Sequence, residues 1–209
     1  MKLREYQNNI AIQAGNKLMA FGCCYLSMEC RTGKTLTALS SADKFNAESV
    51  LFITKLKAIP SVKSDYIALQ PSFKLEVVNF ESSHKVTGKY DLVIIDEAHS
   101  LGAYPKPSKR TQEIRTICEG LPVLYLSGTP SPESYSQLYH QFWVCSKSPW
   151  KNYKSFYKWA KEYVYTRQKK VNGYLINDYS CANKPKIDND TRNLFISYSQ
   201  EQAGFEVNI

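Results

Sequence analysis

The 209-residue sequence has no C-x-x-C pair among its six cysteines, no run approaching 18 consecutive apolar residues and no signal-type apolar core at its N-terminus. It also carries no internal repeat and no low-complexity tract. Each absence removes a class of protein. Without cysteine pairs at ligand spacing, a zinc-binding module is not expected. Cys23, Cys24, Cys30, Cys118, Cys145 and Cys181 lie mostly in apolar runs, which favours reduced, buried thiols over a disulfide framework. With neither a span-length apolar segment nor a leader, the expectation is a soluble intracellular protein with no membrane partner. What is present points to a globular chain: apolar content is 43% and aromatic content 13%, enough for one large domain or one domain plus an appendage. The net charge of +8 and pI near 9.1 favour a polyanionic partner, without selecting nucleic acid over an acidic surface.

The most informative stretch is Met28-Glu29-Cys30-Arg31-Thr32-Gly33-Lys34-Thr35, which follows the apolar run Cys23 to Leu26. A triphosphate needs inward-facing backbone N–H groups, a cation at its β/γ oxygens and a hydroxyl for Mg²⁺. Gly33, Lys34 and Thr35 supply these in order, flanked by Arg31 and Thr32. The pattern departs from G-x-x-x-x-G-K-[ST] at Met28, where glycine is asked for, and Gly-Lys-Thr also arises as plain helix-entry chemistry. Downstream, the β-branched run Leu92 to Ile95 ends in Asp96-Glu97-Ala98-His99, as a buried parallel strand does when its C-terminal end opens on a site. Asp96 is suited to hold Mg²⁺, and Glu97 to polarise the water that attacks a γ-phosphate. Lys34, Asp96 and Glu97 are therefore the expected catalytic set, with Thr35 and Asp96 the metal-facing pair.

With Leu126-Ser127-Gly128-Thr129-Pro130, these stretches resemble the superfamily-two helicases and translocases, and within them most closely the Swi/Snf-type DNA translocases, with a DEAH-type acidic motif. Leu3-Arg4-Glu5-Tyr6-Gln7 looks like the glutamine motif, Ile53-Thr54-Lys55 like motif Ia and Asn79-Phe80-Glu81-Ser82 like motif Ib. Family members vary at the position of Met28. The resemblance covers about residues 1 to 145. It implies that Gln7 reads adenine, the plain alternative being a solvated helix glutamine. It further implies that Thr54, Lys55 and Lys57 touch the phosphodiester backbone, and that His99 with Ser127, Gly128 and Thr129 couples the nucleotide site to the nucleic-acid surface. ATP and Mg²⁺ are the implied cofactors, and non-sequence-specific duplex DNA the implied partner.

The expected fold is an α/β RecA-like P-loop domain with a mostly parallel sheet. Tyr6, Ile10, Ala14 and Leu18 recur every four residues, so 4–19 is read as a helix, and Leu36, Leu39 and Ala42 mark another after the loop. Short β-rich runs fall at 50–54, 75–79, 92–96 and 123–127, separated mostly by helical stretches. A helix is expected over 110–119, closed by Gly120. The division is placed after residue 146, with 147–209 as a basic, aromatic-rich helical and hairpin appendage. Between Lys147 and Arg192 there are 11 Lys/Arg against 4 Asp/Glu, a local balance of 11 − 4 = +7. There, Trp150, Tyr153, Tyr157, Ala160 and Val164 follow helical spacing beside a stripe of Lys151, Lys154, Lys158 and Lys161. The aromatic stripe reads more readily as core than as a stacking platform. The lysines are phosphate-binding candidates, or simply a solvated face. Asn172-Gly173 predicts a two-residue hairpin turn between 163–171 and 174–179, and 181–193 is read as a polar loop.

The reading is the first motor domain of an ATP-dependent DNA translocase. Nothing after Thr129 resembles the second motor domain, so that half is expected from further chain or from another subunit. Two rivals stand beside it: a nucleotide-dependent nucleic-acid-binding module without turnover, and an RNA-dependent DEAH-box helicase.

Overall fold

The computed structural model describes residues 3–204. Six strands form one fully parallel sheet: β1 Cys23–Met28, β2 Ser49–Thr54, β3 Lys74–Asn79, β4 Leu92–Ile95, β5 Val123–Ser127 and β8 Phe195–Tyr198, in the order β3-β2-β4-β5-β1-β8. The central strands read as unbroken apolar runs because both faces are covered. On one face Tyr25, Ile53, Val93, Ile95, Val123 and Tyr125 pack beneath α4 (Lys109–Ile117), α5 (Gln137–Trp143) and α6 (Phe156–Tyr163). On the other, Cys24, Leu26, Met28, Phe52, Leu92, Ile94 and Leu126 pack beneath α1 (Glu5–Phe21), α2 (Lys34–Lys44) and α3 (Ile59–Leu69). The alternation is the period of two that a strand imposes.

α1 buries Ile10, Ala14 and Leu18 as their spacing predicts. It approaches α2 so closely at Gly15 that an added Cβ would lie 2.9 Å from the Lys44 Cβ. Gly22, at φ 69°, ends α1 by donating its N–H to the Leu18 carbonyl, and β1 starts at the next residue.

The C-terminal third departs from expectation in three places. The helix expected across 150–164 starts only at Phe156. Pro149 and the extended Ser155 (φ −157°, ψ 157°) keep 147–155 in turns, and the Ser155 side chain caps α6 by accepting from the Lys158 N–H. The lysine stripe is therefore broken, with Lys151 and Lys154 on the turns and Lys158 and Lys161 on α6. Second, the stretch read as loop contains α7, Lys184–Thr191, capped by Asn183 with Pro185 in its first turn. Third, the chain then returns to the central sheet as β8, paired in parallel with β1 from Tyr25↔Phe195 to Met28↔Tyr198, so its last part is not an appendage. The expected hairpin is present as β6 Arg167–Val171 and β7 Tyr174–Asp178 around Asn172 (φ 49°) and Gly173 (φ 85°); its first strand starts four residues late because Tyr163 closes α6.

The aromatic stripe is core only in part: Trp150 is buried, Tyr153 half-buried and Tyr157 exposed, and the aromatic core is completed by residues outside the stripe. Trp159 is fully buried and stacks on Tyr163 with centroids 5.0 Å apart and planes 4° apart, while Trp150 Nε1 and Tyr163 OH both donate to Asp190 of α7, at 3.0 and 2.6 Å. Those two bonds tie α7, and hence β8, to the body of the domain.

Candidate functional site

Parallel strands with connections of one hand deliver all their C-terminal ends to one edge of the sheet. That edge collects the loop after β1, the Thr54-Lys55 segment after β2, Asp96 and Glu97 after β4, and Ser127 to Pro130 after β5.

The loop after β1 turns through two left-handed residues, Arg31 (φ 62°) and Gly33 (φ 76°), and Gly33 caps the start of α2. This conformation is nearly free of strain only for glycine. Met28 needs no such freedom: it ends β1 opposite Tyr198 with its side chain in the core, so the departure from the glycine pattern is a packing choice. Thr32 is buried, its hydroxyl donating to the Glu29 carbonyl at 2.7 Å. Its own carbonyl accepts from Tyr6 OH at 2.9 Å and from Gln7 Nε2 at 3.4 Å. Gln7 Oε1 accepts from the Arg4 N–H, so the buried Gln7 carboxamide joins the start of α1 to the loop. Lys34 and Thr35 open α2, where the helix dipole favours an anion. Gly128, after β5, faces them: a Cβ there would sit 3.6 Å from Lys34 Nζ and 3.4 Å from the Met28 carbonyl oxygen. The absence of a side chain keeps the space in front of the ammonium clear.

The acidic pair is held differently at its two members. Asp96 accepts from Thr54 Oγ1 at 2.8 Å and from the Glu97 N–H at 3.0 Å. Burial raises its pKa, reinforced by Glu97 and opposed by these two hydrogen bonds and by Lys34. Glu97 takes the left-handed conformation at φ 50°, uncommon outside glycine, which turns its carboxylate along the sheet edge. There it meets Lys55 Nζ at 3.4 Å and His99 Nδ1 at 3.3 Å. His99 Nδ1 lies 2.9 Å from Ser127 Oγ, which also accepts from the Thr129 N–H at 3.1 Å. A chain of polar contacts thus runs Lys55, Glu97, His99, Ser127, Thr129 across the ends of β2, β4 and β5. Below it, Tyr25 OH donates to Gln141 Oε1 at 2.7 Å and Gln141 Nε2 donates to the Pro130 carbonyl, fixing the segment after β5 to α5.

Two of the nucleic-acid candidates are placed elsewhere than expected, and a third changes role. Thr54 is fully buried and spends its hydroxyl on Asp96, so it orients the carboxylate and cannot touch a phosphodiester. Lys55 and Lys57 are exposed at the site edge. Lys151 and Lys154 line a cavity of about 520 Å³ with Arg115, Trp143, Cys145 and Trp150. The Cys145 thiol donates to the carbonyls of Gly22 and Leu121, which precede β1 and β5, so this cavity lies at the opposite edge of the sheet. Lys158 and Lys161 are exposed on α6.

Sequence reading missed the contribution of the C-terminal segment. The Tyr198 carbonyl accepts from the Glu29 N–H at 3.1 Å, and its ring stacks on Tyr6 at 4.5 Å. Gln200 donates its N–H to the Glu29 carboxylate at 2.8 Å and its side-chain amide to the Cys30 carbonyl at 2.9 Å. β8 and the residues after it therefore buttress the loop from outside. No motif advertised this, because pairing between positions some 170 residues apart leaves no local periodicity.

No protein-family model matches the sequence, and no curated protein matches it. Among solved structures, the chain is similar to the Sulfolobus solfataricus SWI2/SNF2 ATPase core in complex with dsDNA, with a TM-score of 0.69 and 13% identity over 98% of this chain and 46% of that one. The fold is RecA-like, as in the SWI2/SNF2 core. The likeness extends through α6, α7 and β8, well past the residues whose motifs carry the sequence resemblance. The chain spans less than half the length of that neighbour. In this RecA-like fold the loop after β1 and the acidic end of β4 stand on the same sheet edge, and the site can offer an anion one ammonium and a helix start, and a cation the desolvated Asp96 carboxylate. Among the described residues, no group of three or more His, Cys, Asp or Glu converges on a metal site and no helix is long and apolar enough to cross a membrane.

Proposed function

We propose that the chain is the ATP-binding first motor domain of a nucleic-acid translocase of the Swi/Snf type, acting on duplex DNA without sequence preference and completed by a second RecA-like unit in cis or in trans. The observation that carries this reading is the polar chain from Lys55 through Glu97, His99 and Ser127 to Thr129, which connects the residues beside the phosphate loop to the outer edge of the sheet.

The residues fit Mg·ATP. Mg²⁺ prefers one or two protein oxygens and completes its shell with water and phosphate, so the Thr35 hydroxyl and the Asp96 carboxylate form a sufficient donor set. Burial raises the Asp96 pKa, as expected for a carboxylate that gains from a cation. Mg²⁺ held by these oxygens would supply charge to the phosphate oxygens. Lys34 would add a second positive charge there, the bare Gly128 leaves room in front of it, and Gly33 makes room for the Gln7 side chain packed against the loop. Glu97 is the general base for the attacking water. Its hold by Lys55 and His99 makes its orientation responsive to whatever occupies Lys55, which is how a phosphodiester at the sheet edge could alter turnover. To read adenine, Gln7 would exchange the bonds its buried carboxamide makes with the Arg4 N–H and the Thr32 carbonyl. The resemblance implies His99 as the coupling residue, and its contact with Ser127 supports that role.

The same contacts favour a second reading, nucleotide-dependent binding without turnover, because Glu97 is already engaged by the Lys55 ammonium and the His99 ring. Phosphate release, measured with and without duplex DNA and with RNA as a control, distinguishes the two. DNA-stimulated release lost in Glu97→Gln supports the motor. ATP binding with no release under any of these conditions, even with a second motor unit added, supports the binding module.

A further inference from the structure

The hairpin β6–β7 is the largest feature that the proposed motor reading leaves unused, and it has no covering layer. All ten of its paired residues except Asp178 are exposed. Tyr174 is 77% exposed and Leu175 68%, values unusual for large apolar side chains and concentrated here at the turn. β6 reads Arg167-Gln168-Lys169-Lys170-Val171, three cations in five residues, and β7 opposes them with the single carboxylate Asp178. The Asn172-Gly173 turn, both residues left-handed, matches the twist of the two strands and holds the tip in one shape.

Its position is as informative as its composition. Ser134 Oγ donates to the Ser180 carbonyl and Ser136 Oγ to the Tyr179 carbonyl, which fixes the base of the hairpin to the segment that follows Ser127 to Pro130. Lys169, Ile176 and Asp178 line a groove of about 380 Å³ with Gly102 to Pro105, the segment that follows the acidic motif. The hairpin therefore projects from the edge of the sheet that carries the candidate site, unlike Lys151 and Lys154 at the opposite edge.

We propose that this hairpin is a nucleic-acid pin: Arg167, Lys169 and Lys170 grip phosphates, and Tyr174 stacks on a base made accessible where duplex opens into single strand. The inference rests on the motor reading. A polyanion is the occupant that satisfies both features at once: the excess cations have too few carboxylates on the hairpin, and an aromatic face offered to solvent beside cations is the combination that binds unpaired bases. A base inside a blunt duplex presents no free face, so the pin distinguishes forked from closed DNA.

The test measures binding by fluorescence anisotropy to three DNAs, blunt duplex, forked duplex and single strand, for the parent, Tyr174→Ala and the triple variant Arg167→Gln/Lys169→Gln/Lys170→Gln. Because these side chains are exposed, both variants should melt at the parent temperature. Tyr174→Ala should weaken forked and single-stranded binding roughly tenfold and leave blunt duplex unchanged. The triple variant should flatten the slope of log affinity against log salt by about 0.7 to 0.9 for each phosphate that is no longer neutralised. A 2-aminopurine placed at the fork should be quenched by the parent and not by Tyr174→Ala. If the parent binds DNA and both variants bind all three DNAs alike, the pin is wrong while the motor reading stands. If the parent binds none of them, both fall. If the parent self-associates and Tyr174→Ala makes it monomeric without changing DNA binding, the hairpin is a protein interface and the pin is overturned.

Discussion

At the scale of single residues, the site depends on positions whose reasons differ. Gly128 is required by space: its missing side chain clears the front of Lys34. Gly128→Val should fold normally, since a Cβ there meets only ordinary contacts, yet weaken nucleotide binding roughly tenfold, about 1.4 kcal/mol. Titration with a fluorescent ATP analogue alongside a thermal melt checks both halves. Glu97→Gln should bind Mg·ATP at least as well as the parent while losing turnover, because it removes a base and relieves repulsion with the phosphates. His140 sets an acid limit on the fold. It is buried with Nδ1 donating to the Ala103 carbonyl, and its pKa is pushed down to about 4, chiefly by burial, against an ordinary value of 6.5. The unfolded chain therefore binds a proton that the folded chain refuses between those values. Stability is fully present above pH 6.5 and falls as the pH drops towards 4, by on the order of 2 kcal/mol between pH 7 and pH 5. Urea unfolding at the two pH values should show this loss in the parent and not in His140→Gln.

At the scale of elements, legibility followed the strength of the local signal, whether an apolar run, a helical spacing or the Asn172-Gly173 turn of the exposed hairpin. β1, β2, β4 and β5 could be read because coverage on both faces leaves apolar runs that nothing else explains, and their terminal residues announced the site. α1 and α2 showed their faces by spacing. α7 did not, since among its eight residues only Ile187 and Thr191 are buried, too few to make a stripe; Asn183 followed by Pro185 was the signal available. β8 is four residues long and has meaning only through its pairing with β1. Thr54 was misassigned because a hydroxyl at a strand end looks the same whether it faces solvent or, as here, a neighbouring strand's carboxylate. The stacking of Tyr198 on Tyr6 makes β8 part of the support of the loop after β1. Tyr198→Ala should lower stability by about 1 kcal/mol through removal of the stack and weaken nucleotide binding several-fold by loosening the loop. Loss of stability without loss of affinity would show that the C-terminal segment only packs.

At the scale of the whole molecule, the parallel sheet between its two hydrophobic layers gathers the candidate site at one edge, and nucleotide and nucleic acid are expected side by side along it. An arginine contributed from a second motor unit is worth roughly 10³ to 10⁵ in rate in phosphoryl transfer. The chain alone is therefore expected to bind ATP and release phosphate very slowly, with turnover rising when a second motor unit is supplied. The measurement that tests the central claim most directly is an equilibrium titration of a non-hydrolysable fluorescent ATP analogue, with and without Mg²⁺, against the parent and Lys34→Ala. The motor reading predicts saturable one-to-one binding that needs Mg²⁺ and is lost in a Lys34→Ala protein melting at the parent temperature. Equal affinity in the two proteins, or no binding by the parent, would contradict it.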